Sequence, residues 1–276
     1  MGFFDKLKGR QVRDQIKNEA YFRKYIQQQE KRIDRFSDMI KQEQVPKERI
    51  CLVEAFIAEL KSSVLTAKYS MGAELNDLSK EWPEVLCTMA KNWDTTIGQA
   101  DLINTVALAV LYEVDGTTWD IVSKAACQYG RKDWLVGFLL SSREGGPDYQ
   151  TWKVAMKNPH QTLRNIIENS PQKAKDIKTY LEKKWYKGHY GVAWYDTHKS
   201  DQMTYYGYWS NETAAAVKIL GIDDSCLKNQ QYYPYDTIQV SVQLKNTGKM
   251  EGKEVIQVYV RDMVSSCLLY TSPSPR

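Results

Sequence analysis

The chain has 276 residues, 42% of them hydrophobic, and a formal net charge of +4. This is enough for one large or two small domains, and so even a charge balance excludes a protein organised around a strong basic field for nucleic acid. Five cysteines (Cys51, Cys87, Cys127, Cys226 and Cys267) are scattered without a C-x-x-C pair, and no metal-type spacing joins them to the three histidines, so reduced thiols, no metal and no cofactor are expected.

The opening "MGFFDKLKGR" lacks a signal-peptide core, and no apolar run approaches a membrane span, so a cytoplasmic protein with no membrane partner is expected. Residues 11 to about 43 read as one long helix. Val12, Ile16, Tyr21, Phe22, Tyr25, Ile26, Ile33, Phe36 and Ile40 recur there at steps of three and four. "QVP" at 44–46 ends it, because proline lacks an N–H and restricts the residue before it. A second helical pattern covers 47–70, and the short joint predicts an antiparallel pair. Further helices are predicted at about 77–92, 96–113, 118–129, 131–142, 147–156, 160–168 and 171–185, divided by turn signals such as "VDGTT", "YGRKD" and "REGGPD".

A short helix is predicted at 209–221, with Ser210 as N-cap and Gly221 just past its end. From about residue 237 the period changes to two. Val240, Val242 and Leu244, the turn "NTGKMEG", then Val255, Gln257 and Tyr259 predict a β-hairpin. The last ten residues, "CLLYTSPSPR", read as neither helix nor strand. The fold class is therefore all-α: two packed helical subdomains, followed by a hairpin fragment outside the main fold.

The densest chemistry lies in "WYDTHKSDQMTYYGYWSNE", residues 194–212. His198 between Asp196 and Asp201 is the arrangement that orients a general base. No G-x-S-x-G elbow, H-E-x-x-H helix, zinc-deaminase signature or spaced phosphate-binding glycines accompany it. The stretch therefore reads as recognition or architecture. A hydrolase using His198 with Asp196 or Asp201 is the alternative. Residues 143–187 hold ten Lys or Arg against five acids, most simply a solvated face. In 194–224, by contrast, Asp196, Asp201, Glu212, Asp223 and Asp224 face only Lys199 and Lys218. An acidic, tyrosine-rich patch of this kind suits a basic, nucleic-acid-binding protein partner, with aromatic anchors and carboxylates setting the register.

The order of "YDTHKSD", "YYGYWSNE", "AAAVKILGIDD" and "YYPYD" resembles the C-terminal domain of PoNi-like immunity proteins, which neutralise polymorphic DNase toxins exchanged between bacteria. "EAYFRKYIQQQEKRIDRF" is similar to the N-terminal domain of the same family, and the resemblance covers about residues 10–236. It implies a non-enzymatic protein that binds its cognate DNase toxin and occludes it, without contacting nucleic acid itself. On that reading the expected contact residues are Asp196, His198, Asp201, Tyr205, Tyr206, Glu212, Asp223 and Asp224. The domains are then 1–115 (N-terminal helical), 116–236 (C-terminal helical), 237–266 (hairpin fragment) and 267–276 (tail). "VSVQLKNTGKMEGKEVIQVYVRDMVSS" is similar to the fibronectin-III-like domain of glycoside hydrolase family three, too short to build that sandwich. The tail looks like a translated sequencing adaptor. Together these suggest a chimeric gene joined near residue 237, and an accessory module of a carbohydrate-active enzyme as a further alternative.

Overall fold

The first helix, α1 (Glu19–Lys41), starts eight residues later than its apolar period predicts. Asp14 is the reason. Its Oδ1 accepts the backbone N–H groups of Ile16 and Lys17, both at 2.7 Å, which turns the chain before Asn18 caps the helix through Tyr21 N. In the computed structural model, residues 11–94 and 97–238 are described, all within one compact unit that ends at Ile238. Nearly the whole of the expected hairpin, and the tail, lie outside these residues.

The following helices are α2 (Ile50–Ser70), α3 (Leu75–Lys91), α4 (Gln99–Leu111), α5 (Gly116–Tyr129) and α6 (Trp134–Leu140). They are followed by α7 (Lys157–Asn169), α8 (Lys173–Tyr180), α9 (Tyr186–Gly188) and α10 (Asn211–Leu220). A π turn, Leu181–Trp185, joins α8 directly to α9. The described fold is all-α, as expected, and its one β contact is an isolated bridge between Asp133 and Lys153. α1 and α2 are antiparallel. Phe36 meets Phe56 edge-on at 5.2 Å at one end, and the Tyr25 hydroxyl bonds Ser63 at the other.

One expected helix, 147–156, does not form. Its residues are claimed by α6 instead. Asp133, fully buried at the start of α6, accepts Val136 N at 3.0 Å through Oδ1 and Ala155 N at 2.6 Å through Oδ2. Trp134 N also donates to the Lys153 carbonyl at 2.9 Å. Tertiary bonds thus capture the backbone groups that a helix would have used. Burial pushes the Asp133 carboxyl up, against those two backbone donors.

The core centres on α4, whose residues from Leu102 to Leu111 are buried except Asn104. A helix apolar on every side belongs in the middle of a bundle. α10 lies along it. Asn211 Nδ2 donates to Asn104 Oδ1 at 2.8 Å and Lys218 Nζ to the Leu111 carbonyl at 2.9 Å, each pair 107 residues apart, so the two helices run parallel. Ala214, Ala215 and Ala216 are wholly buried, and their small side chains let the helix axes approach. Gly221 adopts the left-handed conformation (φ 60°) that ends α10 where the sequence places it. The fold then closes on its own beginning. Arg13 Nε donates to Asp236 Oδ2 at 2.7 Å, while Arg13 Nη1 reaches the carbonyls of Tyr69 and Ala73.

Two outcomes test these contacts. Asp133→Ala leaves two backbone N–H groups without partners and is expected to cost about 2–4 kcal/mol in denaturant unfolding. A chain ending at Ile238 is expected to melt cooperatively at the full-length temperature. One ending at Gln230 loses buried Tyr233 and the Arg13–Asp236 tie. It should fall by about 6–12 °C, corresponding to about 3 kcal/mol in a domain of this size.

Candidate functional site

The stretch 194–212 divides into a polar turn and a buried strap. In the turn, Asp196 takes a left-handed conformation (φ 62°) ahead of a short 3-10 turn, Thr197–Lys199. Its Oδ1 accepts the Tyr186 hydroxyl at 2.6 Å and its Oδ2 the Lys199 ammonium at 2.9 Å. Those bonds, Tyr186 first, hold the Asp196 carboxyl below the usual carboxylate range. His198 engages a phenol, not a carboxylate. Its Nδ1 lies 3.0 Å from the Tyr208 hydroxyl, which also accepts the His198 backbone N–H at 3.1 Å and lies 3.0 Å from Thr197 Oγ1. Burial pushes the His198 imidazole down, against the pull of Asp196. The oriented acid–base pair that hydrolysis would need is therefore not assembled from these residues.

The strap, residues 204–209, lies on the N-terminal helices. Tyr21 OH both donates to the Tyr205 carbonyl and accepts Tyr205 N, each at 3.1 Å. Ser70 Oγ donates to the Tyr206 carbonyl and accepts Trp209 Nε1, each at 2.9 Å. The Tyr205 hydroxyl donates to Asp14 Oδ2, and burial raises both groups above their usual ranges. Gly207 sits at φ 120°, and a Cβ there would fall 2.2 Å from Ser70 Oγ, so only glycine lets the strap lie so close.

The eight expected contact residues thus fall into different environments. Asp201 and Asp223 are exposed, and Asp196, His198, Tyr206 and Asp224 are half-buried. Tyr205 (0% exposed) and Glu212 (5%) are inside, which removes them from direct contact with a partner that docks on the folded surface. Asp223 is held low by the Ser225 N–H, whereas burial raises Asp224, which accepts the Tyr233 hydroxyl at 3.0 Å. The acids form two turns, one before the strap and one after α10, with buried chain between them.

Glu212 belongs to a group that the sequence spacing does not reveal. Its Oε1 accepts Trp185 Nε1 at 2.6 Å and lies 2.8 Å from Ser210 Oγ. Ser210 occupies the predicted cap position but spends its hydroxyl on Glu212 and Thr213 rather than on a helix N–H. His160, His189 and Glu212 are all buried and each offers a ligand atom within 4.8 Å of the others. Burial pushes His160 down to about 3 and also lowers His189, which Glu212 and the Trp185 carbonyl pull the other way. Intervals of 29 and 23 residues hide this trio in the sequence, since no motif spans them.

Among the described residues, no helix is long and apolar enough to cross a membrane. The crystal structure of protein PA2201 from Pseudomonas aeruginosa shares the fold, with a TM-score of 0.58 and 16% identity over 86% of this chain and 95% of that one. A β-glucosidase of Bacteroides ovatus, BoGH3A, is 36% identical over 78 residues, which is 28% of this chain and 10% of that enzyme. Thermostable β-glucosidase B of Acetivibrio thermocellus is 33% identical over 76 residues, 28% of this chain and 9% of the enzyme. The chain thus spans about a tenth of the length of these curated relatives. The description "PoNe immunity protein (PoNi), N-terminal" matches residues 13–124, and "PoNe immunity proteins (PoNi), C-terminal" matches residues 131–237. With both halves of that description covering the described helical fold, the chain belongs to the PoNi family of immunity proteins.

Proposed function

We propose that this immunity protein binds a cognate DNase toxin and inhibits it by stoichiometric occlusion, in the cytoplasm of the cell that makes it. The observation that carries the reading is the use of the polar groups in 194–212. Asp196 is bonded to Tyr186 and Lys199, His198 to Tyr208, and Glu212 to Trp185. Chemistry that looks catalytic in the sequence is spent on internal bonds, as suits a protein whose task is to present a shape. A DNase holds its substrate through cationic side chains facing phosphate. Carboxylates at Asp201 and Asp223, flanked by Asp196 and Asp224, offer that cationic surface negative charge as phosphate does. Tyr205 and Glu212 serve the complex indirectly, by fixing the strap and α10 between the two acidic turns. The family match covers far more of the chain than the likeness to β-glucosidases.

Co-expression with the nuclease gene from the same locus should yield a one-to-one complex and abolish DNA cleavage. Asp201→Lys and Asp223→Lys are each expected to weaken that complex about 10-fold at low salt, chiefly through slower association, with the difference shrinking as salt rises. Unchanged affinity in both variants would remove the acidic turns from the interface. His198→Ala should keep full protection, measured as survival of toxin-expressing cells. A folded His198→Ala protein that still binds the nuclease but no longer protects would return the hydrolase reading to consideration.

A further inference from the structure

The buried trio is a polar site away from the exposed acids proposed to meet the toxin. His160 is 2% exposed, and neither of its ring nitrogens has a hydrogen-bond partner. A buried imidazole always presents one N–H and one lone pair, so both being unpartnered costs about 1–3 kcal/mol per group unless something else binds there. His189, 4% exposed, has Nδ1 2.8 Å from the Trp185 carbonyl. A carbonyl only accepts, so Nδ1 carries the proton and Nε2 is left with its lone pair free, the tautomer that a metal ion takes. Glu212 completes the set, its Oε1 held by Trp185 and Ser210. Outer partners of this kind orient ligands in metal centres.

Local packing brings the three together. A Cβ on Gly188 would lie 2.6 Å from Pro159 Cβ, so the end of α9 rests directly on the residue before His160. The two imidazole rings stand 5.5 Å apart at 70°. A cavity of about 70 Å³ borders all three residues, together with Trp185, Trp194 and Asn211. That volume has room for an ion and a water. Bond lengths of about 2.0–2.2 Å to nitrogen and oxygen would set the ligand atoms about 3.3 Å apart around a tetrahedral ion. The three ligand atoms lie within 4.8 Å of one another, so binding requires side-chain rotation that closes them to that spacing.

We propose that His160, His189 and Glu212 bind one divalent transition-metal ion of the zinc class, with water in the remaining position. Two imidazoles and one carboxylate suit zinc, cobalt or nickel rather than magnesium or calcium, which prefer oxygen ligands throughout. The ion ties the start of α7, the end of α9 and the first turn of α10 into one joint. Its role is structural, and the inference is independent of the toxin-binding reading, because its readout is metal content and spectrum rather than protection.

The test uses the full chain, stripped with a chelator and titrated with Zn²⁺ or Co²⁺. One equivalent should bind, raise the melting temperature and, with Co²⁺, give visible absorption of four-coordinate intensity. Glu212→Gln should weaken binding about 100-fold or more, and Trp185→Phe, which removes an outer partner, about 10-fold or more with stoichiometry kept. His198→Ala should bind normally. If Glu212→Gln fails to fold, the ring-nitrogen NMR shifts of His160 and His189 in the unmutated chain decide, since Zn²⁺ must move both. No binding by the unmutated chain, shifts confined to His198, or full binding by a folded Glu212→Gln would overturn the proposal. Each would leave a water-filled polar pocket as the account of the trio.

Discussion

α10 has almost no outward face, and much of the C-terminal half follows from that. Its residues Asn211 to Val217 are buried in succession against α4 and the elements around it. A helix placed there must be made of small side chains where it meets another axis, and Ala214–Ala216 supply them. The same burial carries Glu212 inside, where a carboxylate is tolerated only with donors around it. Trp185 and Ser210 fill that need, and Trp185 comes from the π turn that carries α8 into α9. The packing of one short helix thus dictates the chemistry of its neighbours.

The strap shows how the two family halves become one fold. Its backbone is satisfied by Tyr21 and Ser70, side chains of the N-terminal helices, and its own tyrosine reaches back to Asp14. Tyr205 stands within aromatic contact of Tyr21 and Phe22, and Tyr206 of Tyr25. Neither half could bury these groups alone. The motif that is most distinctive in the sequence is therefore a seam.

Helical periodicity made most of the fold legible. The C-terminal end of α1 and the proline after it, the span of α2, and the Ser210 and Gly221 ends of α10 all lie within a few residues of where the pattern puts them. The failures have two causes. Asp14 seizes the N–H groups two and three residues on, a local turn that the apolar period does not register, whereas Asp133 captures Ala155 across 22 residues and keeps 147–156 out of a helix. At the site, exposed Asp201 and Asp223 were readable as surface acids. The burial of Tyr205 and Glu212 was not, because polar residues on a crowded helix look the same in sequence whether they face water or the core. The His160–His189–Glu212 trio is further still from local signals, since only the joining of three separated elements creates it.

The tie between Arg13 and Asp236 has a topological consequence. It pins the first and last described turns of the helical fold within one ion-pair distance, so this fold is nearly a closed ring. Proteins whose ends meet in this way tolerate a change in where the chain begins. A short linker joining the two ends would let new termini open in the exposed Gly145–Gly146 turn, remote in sequence from both acidic turns. A circularly permuted form of this kind would keep the helical framework while moving its termini to that turn.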